Sequence, residues 1–477
     1  MPESTAEEGR EGMDRARRLG EHGIAPLLWR FSLPAVVGML VHALYNVVDR
    51  AFIGWAVGAP GIAGISVAFP MMMVLMSFGM LIGIGANSLI SIRLGQKRRE
   101  DAERVMGNAF VLFVLVSITL SVLGLVFVEP ILFMFGADAE ILPYSRAYLE
   151  IILLGTVFQS IGLGMNNFIR GEGNPNRAMS TMVAGAVLNV ILDPVFIFGF
   201  DMGIRGAAIA TVISLAVSSA LVMWYFLGGT SLLKLRPGFF RLERRIVADI
   251  AAVGSAPFAM QIASSVIVTL FNHQLRIHGG TQALAVMGIM FSILMLVLMP
   301  VVGISQGAQP IIGYNYGAGS FLRVIRTVRL ASLVATGVTL GGFVIAMLFS
   351  PLIMAAFSGG DAGLVAMGGY AMRVFFLMLP VIGAQIVGAN YYQAVGKPRQ
   401  AIFLNLTRQV LLLIPALLLL PAFFGLTGVW LAGPISDLGA FLVTGTFVYR
   451  EMRRLKQRAE AEPEPMPLAA SSPGGGS

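Results

Sequence analysis

The sequence has no cysteine, only four histidines and little charge, with Asp, Glu, Lys and Arg making up 12% of 477 residues. The missing cysteines exclude disulfides, thiolate metal sites and thiol redox chemistry. His273 and His278 are five apart and do not share one helix face, and the other histidines are scattered, so no imidazole metal cluster is expected. The segment "AVGKP" is no phosphate loop, because the upstream glycine is missing and Pro398 stands where a Ser or Thr is needed. No residue set remains for hydrolysis, redox or nucleotide chemistry, so the chain reads as a non-enzyme without a cofactor. Scarce charge also excludes a soluble protein of this length. With 56% apolar residues and a mean hydropathy of +0.81, there is too little polar surface to face water.

What the sequence does contain is a succession of apolar runs of about twenty residues, the helix length that crosses ~30 Å of hydrocarbon. Twelve begin near Ala25, Ile62, Gly107, Tyr144, Ala178, Gly206, Val247, Gln282, Val324, Gly368, Ala401 and Gly428. They are continuously apolar rather than alternating in period two, which favours helices over a β-barrel. The expected fold is therefore an all-α polytopic membrane protein with twelve transmembrane helices. The first run lacks a small-residue cleavage site and follows a long charged segment, so no signal peptide is read. Lys and Arg gather in the N-terminal tail, in the even-numbered loops such as "RLGQKRREDAER", and at the C-terminal end. Odd-numbered loops hold Arg50, Arg205 and Arg276, with Arg146 near a boundary. This bias explains the net charge of +8 without a nucleic-acid partner, and it puts both termini in the cytoplasm. The expected location is a prokaryotic plasma (inner) membrane.

The chain also repeats itself. Pro34 aligns with Pro257, Asn167 with Asn390, Gly173 with Gly396 and Pro175 with Pro398, all 223 positions apart. After a one-residue slip, Gly85-Ala86 meets Gly307-Ala308, Gly95 meets Gly317 and Gly206 meets Gly428. An even number of helices per half gives two parallel six-helix bundles related by an axis along the membrane normal, as in transporters that rock two bundles around a central cavity. The expected organisation is a V-shaped, alternating-access pair. It comprises a cytoplasmic tail over 1–24, an N-lobe over 25–228, a cytoplasmic linker over 229–246, a C-lobe over 247–451 and a disordered tail over 452–477. The tail ends in "GGGS".

Six ionisable residues fall at membrane depth: Asp49, Glu150, Asp193, Arg373, Arg408 and Asp437. Such residues face a protein interior or a water-filled path and are functional candidates. Asp193 lies in "NVILDPVFIFGF", four residues after Asn189 and so on the same helix face. Pro194 has no N–H, so it is expected to break this fifth helix and free the Val190 carbonyl. Carboxylate, amide oxygen and free carbonyl form a set of hard oxygens suited to a proton or Na⁺. The competing reading for Asp193 is an N-cap or kink-stabilising aspartate. For Asp49, beside Arg50, it is a snorkelling pair at a helix end. Tyr148 and Thr211 can bring hydroxyls to the same pocket, against ordinary packing as the alternative. At the repeat offset, Asp49, Asn189 and Asp193 pair with Asn272, Leu412 and Ala416, so the acids are confined to the first half. Glu150 is expected near a water boundary, and Arg408 with Asp437 as a structural clamp between helices 11 and 12.

The six-plus-six repeat, "YNVVDRAFIG", "IRGEGNPNRAM", "NVILDPVFIFG" and "GIRGAAIATVIS" together resemble the MATE family of multidrug and toxic-compound extrusion transporters over about residues 25 to 450. Within it the chain looks most like the branch with DinF- and MepA-like proteins. That resemblance implies roles for Asp49, Tyr148, Asn189, Asp193 and Thr211 around a coupling H⁺ or Na⁺, and a bend of helix 1 at Pro34. If the ion is Na⁺, Asp49, Asn189, Asp193 and Thr211 are the residues expected to hold it. The NorM-like branch has acids in helices 7 and 10. Here helix 7 has none and helix 10 offers only Arg373, so that second site is not carried over.

The expected function is export of cationic or amphipathic small molecules by antiport with H⁺ or Na⁺, by a monomer whose partners are membrane lipid and its transported drugs. One alternative is a flippase for lipid or lipid-linked oligosaccharide from the same wider superfamily, which calls for a basic cavity. The other is a channel or structural membrane protein, for which no filter-like segment is present.

Overall fold

The computed structural model describes residues 19–20, 22–57, 59–135, 137, 139, 141–228, 231–358 and 362–461, and among these there is no β-strand. The basic tail up to residue 18, the side chain of Arg50 and the tail from residue 462, expected to be disordered, lie outside the described residues.

The first half comprises α1 (Ile24–Ala56), α2 (Ala59–Gly95), α3 (Arg99–Val126), the short α4 (Val128–Met134), α5 (Leu142–Leu154), α6 (Thr156–Gly171), α7 (Pro175–Pro194) and α8 (Gly203–Leu227). The second comprises α9 (Arg244–Gly317), α10 (Phe321–Ser358), α11 (Ala362–Phe375), α12 (Leu379–Ala394), α13 (Pro398–Leu406) and α14 (Ile414–Ala461). Among the described residues, nine helices are long and apolar enough to cross a membrane, counting α9 as two crossings that meet at Gly280. Two bent pairs, α5 with α6 at 56° and α11 with α12 at 46°, add one crossing each. The last of the nine, Pro398–Ala461, holds 64 residues, about three bilayer thicknesses of helix at ~1.5 Å per residue. Gly425, at φ 54° and ψ −135°, breaks it in two. The total is the twelve expected.

Backbone conformation carries the repeat as well. Left-handed residues recur at Lys97 and Gly319, Gly173 and Gly396, and Gly203 and Gly425, at separations of 222 or 223. The entry to α7 shows the local cause. Gly173 takes φ 98° to end α6, Asn174 accepts a hydrogen bond from the Arg177 amide, and Pro175 starts the helix. That is the physical content of "GEGNPNRAM".

Three apolar cores define the shape. One combines both halves at the end where the basic loops lie, joining Phe31, Ile90, Met106 and Phe168 to Ile304, Ile311, Val328 and Tyr391. Toward the other end the halves keep separate cores, around Ile53, Leu75 and Ile197 in the first and Phe271, Met290 and Trp430 in the second. The molecule is thus a V joined at its basic end. Glycines make the joint close: a Cβ at Gly95 would overlap the Tyr314 carbonyl, and one at Gly317 the Ile92 carbonyl. Hydrogen bonds cross the joint from Arg170 to Gln306 (2.8 Å) and from Gln309 to Ser88 (2.9 Å).

The linker is fastened to the first half. Buried Glu172 accepts hydrogen bonds from the Ser231 hydroxyl (2.8 Å) and the Leu233 amide (3.1 Å). Buried Glu103 accepts from the Lys234 amide (3.2 Å) and pairs with Arg236 (2.9 Å). The second half also continues beyond its expected end at residue 451, because α14 runs on to Ala461.

Candidate cation site

The site begins with helical spacing on α7. Asn189 and Asp193 lie one turn apart, both buried, and the Asn189 amide nitrogen donates to Asp193 Oδ1 at 3.1 Å. The same nitrogen lies 3.4 Å from the Thr211 hydroxyl on α8. With its N–H₂ group so used, Asn189 has its amide oxygen left, and that oxygen is buried with no hydrogen-bond partner. Asp193 Oδ2 is likewise buried and without one.

Pro194 shapes this segment without breaking it, which corrects the expected interruption. Helical backbone continues past the proline by widening into one π-helical stretch, Val195–Gly199. Gly206 on α8 packs against that stretch, where a Cβ would come within 2.7 Å of the Phe196 carbonyl. The close approach of α8 carries Thr211, five residues on, to Asn189. "GIRGAA" therefore reads as a packing signal for the site.

Asp49 on α1 is buried at 7% exposure and stands near enough to Asp193 for the two carboxyls to act on each other electrostatically. Tyr148 on α5 is buried in the core that holds Ile53, Ile197 and Ala207, one turn from Asp49, Asp193 and Thr211 respectively. All five expected residues are thus buried in the first half. Pro34 lies inside α1, which stays helical from Ile24 to Ala56. The remaining membrane-depth charges are elsewhere. Arg408 pairs with Asp437 at 2.6 Å, Arg373 bonds Ser350 at 3.1 Å, and Glu150 pairs with Arg146 at 2.7 Å.

Chemically, the arrangement offers only oxygens to a ligand: two carboxyls, an amide oxygen and a hydroxyl. Buried oxygens without donors are costly unless something supplies positive charge or a hydrogen. A proton supplies both and a desolvated Na⁺ supplies the charge, each within the space of one ion, and the oxygen set fits either. Among the described residues no group of three His, Cys, Asp or Glu is spaced to hold a metal ion.

Sequence reasoning missed Glu103 and Glu172, which sit among the loop charges, and the serines next to Thr211 on α8. The signal for those serines is a polar periodicity of three and four along the helix, easily lost in an apolar run.

Comparison with known proteins bears on the family and the fold. The family model described as MatE matches residues 34–195 and 256–418. The chain is 30% identical over 422 residues to "Multidrug export protein MepA" of Staphylococcus saprophyticus, covering 87% of this chain and 92% of the relative. A solved structure described as that of the MATE multidrug transporter DinF-BH is 42% identical, with a TM-score of 0.85 and coverage of 91% and 97%. Another, described as the outward-facing conformation of a multidrug resistance MATE family transporter, is 25% identical, with a TM-score of 0.87 and coverage of 92% and 98%.

Proposed function

The chain belongs to the MatE family, and from that premise we propose that it exports drugs in exchange for a small hard cation held between Asp49 and Asp193. It is a multi-pass membrane transporter for multidrug efflux. In our reading it works as a monomer in a prokaryotic plasma membrane, with both termini in the cytoplasm, and performs no chemical conversion.

One observation carries the proposal. Two buried acids and two buried oxygens without hydrogen-bond partners lie together in one half, while the other half has Asn272, Leu412 and Ala416 at the corresponding positions. An architectural device would recur in both halves. Two carboxylates in one low-dielectric space repel, and a single H⁺ or Na⁺ between them relieves that repulsion. A cationic drug draws on the same negative charge, or acts on it through α1. The basic end is joined here, so this conformer faces away from the cytoplasm, where the incoming ion displaces the drug outward. Turnover requires that ion and drug favour opposite-facing conformers.

The test is ethidium efflux from proteoliposomes under separately imposed Na⁺ and pH gradients. Asp49→Asn and Asp193→Asn should each abolish gradient-driven efflux in a folded, inserted protein. Full transport by both variants refutes the assignment.

A further inference from the structure

Next to Asn189 and Thr211, on the side toward the basic end, lies a cavity of about 40 Å³. It is bordered by Met182 and Gly185 of α7 and by Ser214 and Ser218 of α8. The volume holds one or two water molecules. Ser214 is 4% exposed, and its hydroxyl is buried without a hydrogen-bond partner. Thr211, Ser214 and Ser218 follow at intervals of three and four, so they form one polar face of α8.

The polar line continues past the cavity. Ser218 donates to the Thr181 carbonyl at 3.1 Å, and Asn166 donates to the Thr181 hydroxyl at 2.7 Å. The Asn166 amide oxygen is also buried without a partner. Nearer the basic end, Asn174 at the start of α7 donates to the Tyr225 hydroxyl at 3.4 Å. Hydroxyls and amides thus run from Asp193 past one water-sized space to Asn166, and Asn174 with Tyr225 stands as a separate polar pair between there and the basic face.

The second half supplies the comparison. At the repeat offsets Thr211, Ser218, Thr181 and Asn166 become Gly433, Ala440, Leu404 and Ala389. Ser214 alone keeps a hydroxyl, as Ser436, which donates to the Gly433 carbonyl at 2.8 Å. Gly185 and Leu215, both at the cavity, become Arg408 and Asp437, whose ion pair occupies the corresponding place. The polar line and its cavity therefore accompany the acids and are no part of the shared architecture.

We propose that this line, with water in the cavity at Ser214 and Ser218, is the route by which the coupling cation leaves the Asp49–Asp193 site toward the cytoplasm. The inference rests on the ion-coupled reading above. Oxygen ligands and a held water suit a small hard cation, either Na⁺ with part of its hydration or a proton passed along water. Release along α7 and α8 lets the ion leave without crossing the joint between the halves.

Two measurements test the route. In proteoliposomes, the Ser214→Ala/Ser218→Ala double variant should keep the cation concentration that displaces bound ethidium within about two-fold of wild type. Its gradient-driven efflux should slow at least five-fold, while Ser214→Thr stays near wild type. Slowing under a Na⁺ gradient or under a pH gradient identifies the ion that uses the route. Wild-type efflux by the double variant overturns the proposal. A shift in the displacement midpoint as large as that of Asp193→Asn also overturns it, since the hydroxyls then belong to the binding site itself. The second measurement needs no transport. Because the chain has no native cysteine, Ser214→Cys gives a single thiol. Ag⁺, a thiol-binding cation close to Na⁺ in size, added on the cytoplasmic side should modify it at least ten-fold faster than Ile191→Cys on the exposed face of α7. Equal or slower modification overturns the route even if antiport holds. If wild-type protein shows no displacement of ethidium by either cation, the ion-coupled reading fails instead.

Discussion

Asn189 gives an amide hydrogen to Asp193 Oδ1 at 3.1 Å, and the other oxygen of that carboxyl, buried, meets no donor. The pair is therefore half satisfied, and in the proposed exchange a cation completes it. Asn189→Leu, which installs the residue found at position 412 of the other half, removes both the donor and the amide oxygen. The cation concentration needed to displace bound ethidium should rise at least ten-fold, with protein yield unchanged. An unshifted midpoint would remove Asn189 from the site.

Thr211 contributes one hydroxyl, 3.4 Å from the Asn189 nitrogen. A hydrogen bond of this kind is worth about 1 kcal/mol, or roughly five-fold in affinity. Thr211→Ala should weaken cation binding by about that factor and Thr211→Ser should restore most of it, as read from the same displacement midpoint.

Arg408 and Asp437 test structure rather than transport. Asp437 is 5% exposed and its carboxylate lies 2.6 Å from the guanidinium. Asp437→Ala leaves a largely buried cation without its partner, a loss of about 3 kcal/mol. The midpoint of thermal unfolding in detergent should fall clearly, and exchanging the two residues as Arg408→Asp/Asp437→Arg should recover part of the loss. Equal midpoints for wild type and Asp437→Ala would mean that the pair contributes nothing.

The joint between the halves gives a conformational prediction. A Cβ at Gly95 would overlap the Tyr314 carbonyl, and such overpacking costs about 2 kcal/mol in the joined conformer, or roughly thirty-fold in its population. Gly95→Ala should therefore favour the conformer open at the basic end. Reaction of a cysteine at Ala308→Cys with a polar thiol reagent from that side should speed up by at least ten-fold in the Gly95→Ala background.

Linker attachment predicts a proteolytic signature. Glu103 holds the Lys234 amide and Arg236, both in the linker. Glu103→Ala should expose the Lys234–Leu235 bond to trypsin and speed cleavage after Lys234 several-fold, which gel analysis of the two fragments would show; Arg236, followed by Pro237, is not a trypsin site. Unchanged cleavage would mean that Glu172 alone fastens the linker.

Helix number, the repeat and the closeness of Asn189, Asp193 and Thr211 are legible in the sequence, because each depends on short-range patterns. Hydropathy marks a span, and a charge inside a span is rare enough to stand out, as Asp193 does. Proline chemistry reads too strongly in sequence alone. A missing N–H at Pro194 removes a hydrogen bond, but a π-helical stretch absorbs the defect, and only packing against Gly206 decides that. Glu103 and Glu172 are invisible because a carboxylate in a loop looks solvated until the chain folds over it. Ser214 is hidden for the opposite reason, since a serine in an apolar helix usually bonds its own backbone. What distinguishes it is a cavity between α7 and α8, closed also by Leu163 of α6.

The most direct test of the account reverses the driving force. Proteoliposomes loaded with an ethidium gradient and no ion gradient should move ²²Na⁺ or protons in the opposite direction to the dye, against no initial difference in either ion. Asp193→Asn should show no such coupled movement. Coupled ion movement by Asp193→Asn equal to that of wild type, or dye transport by wild type with no counter-movement of either cation, would contradict it.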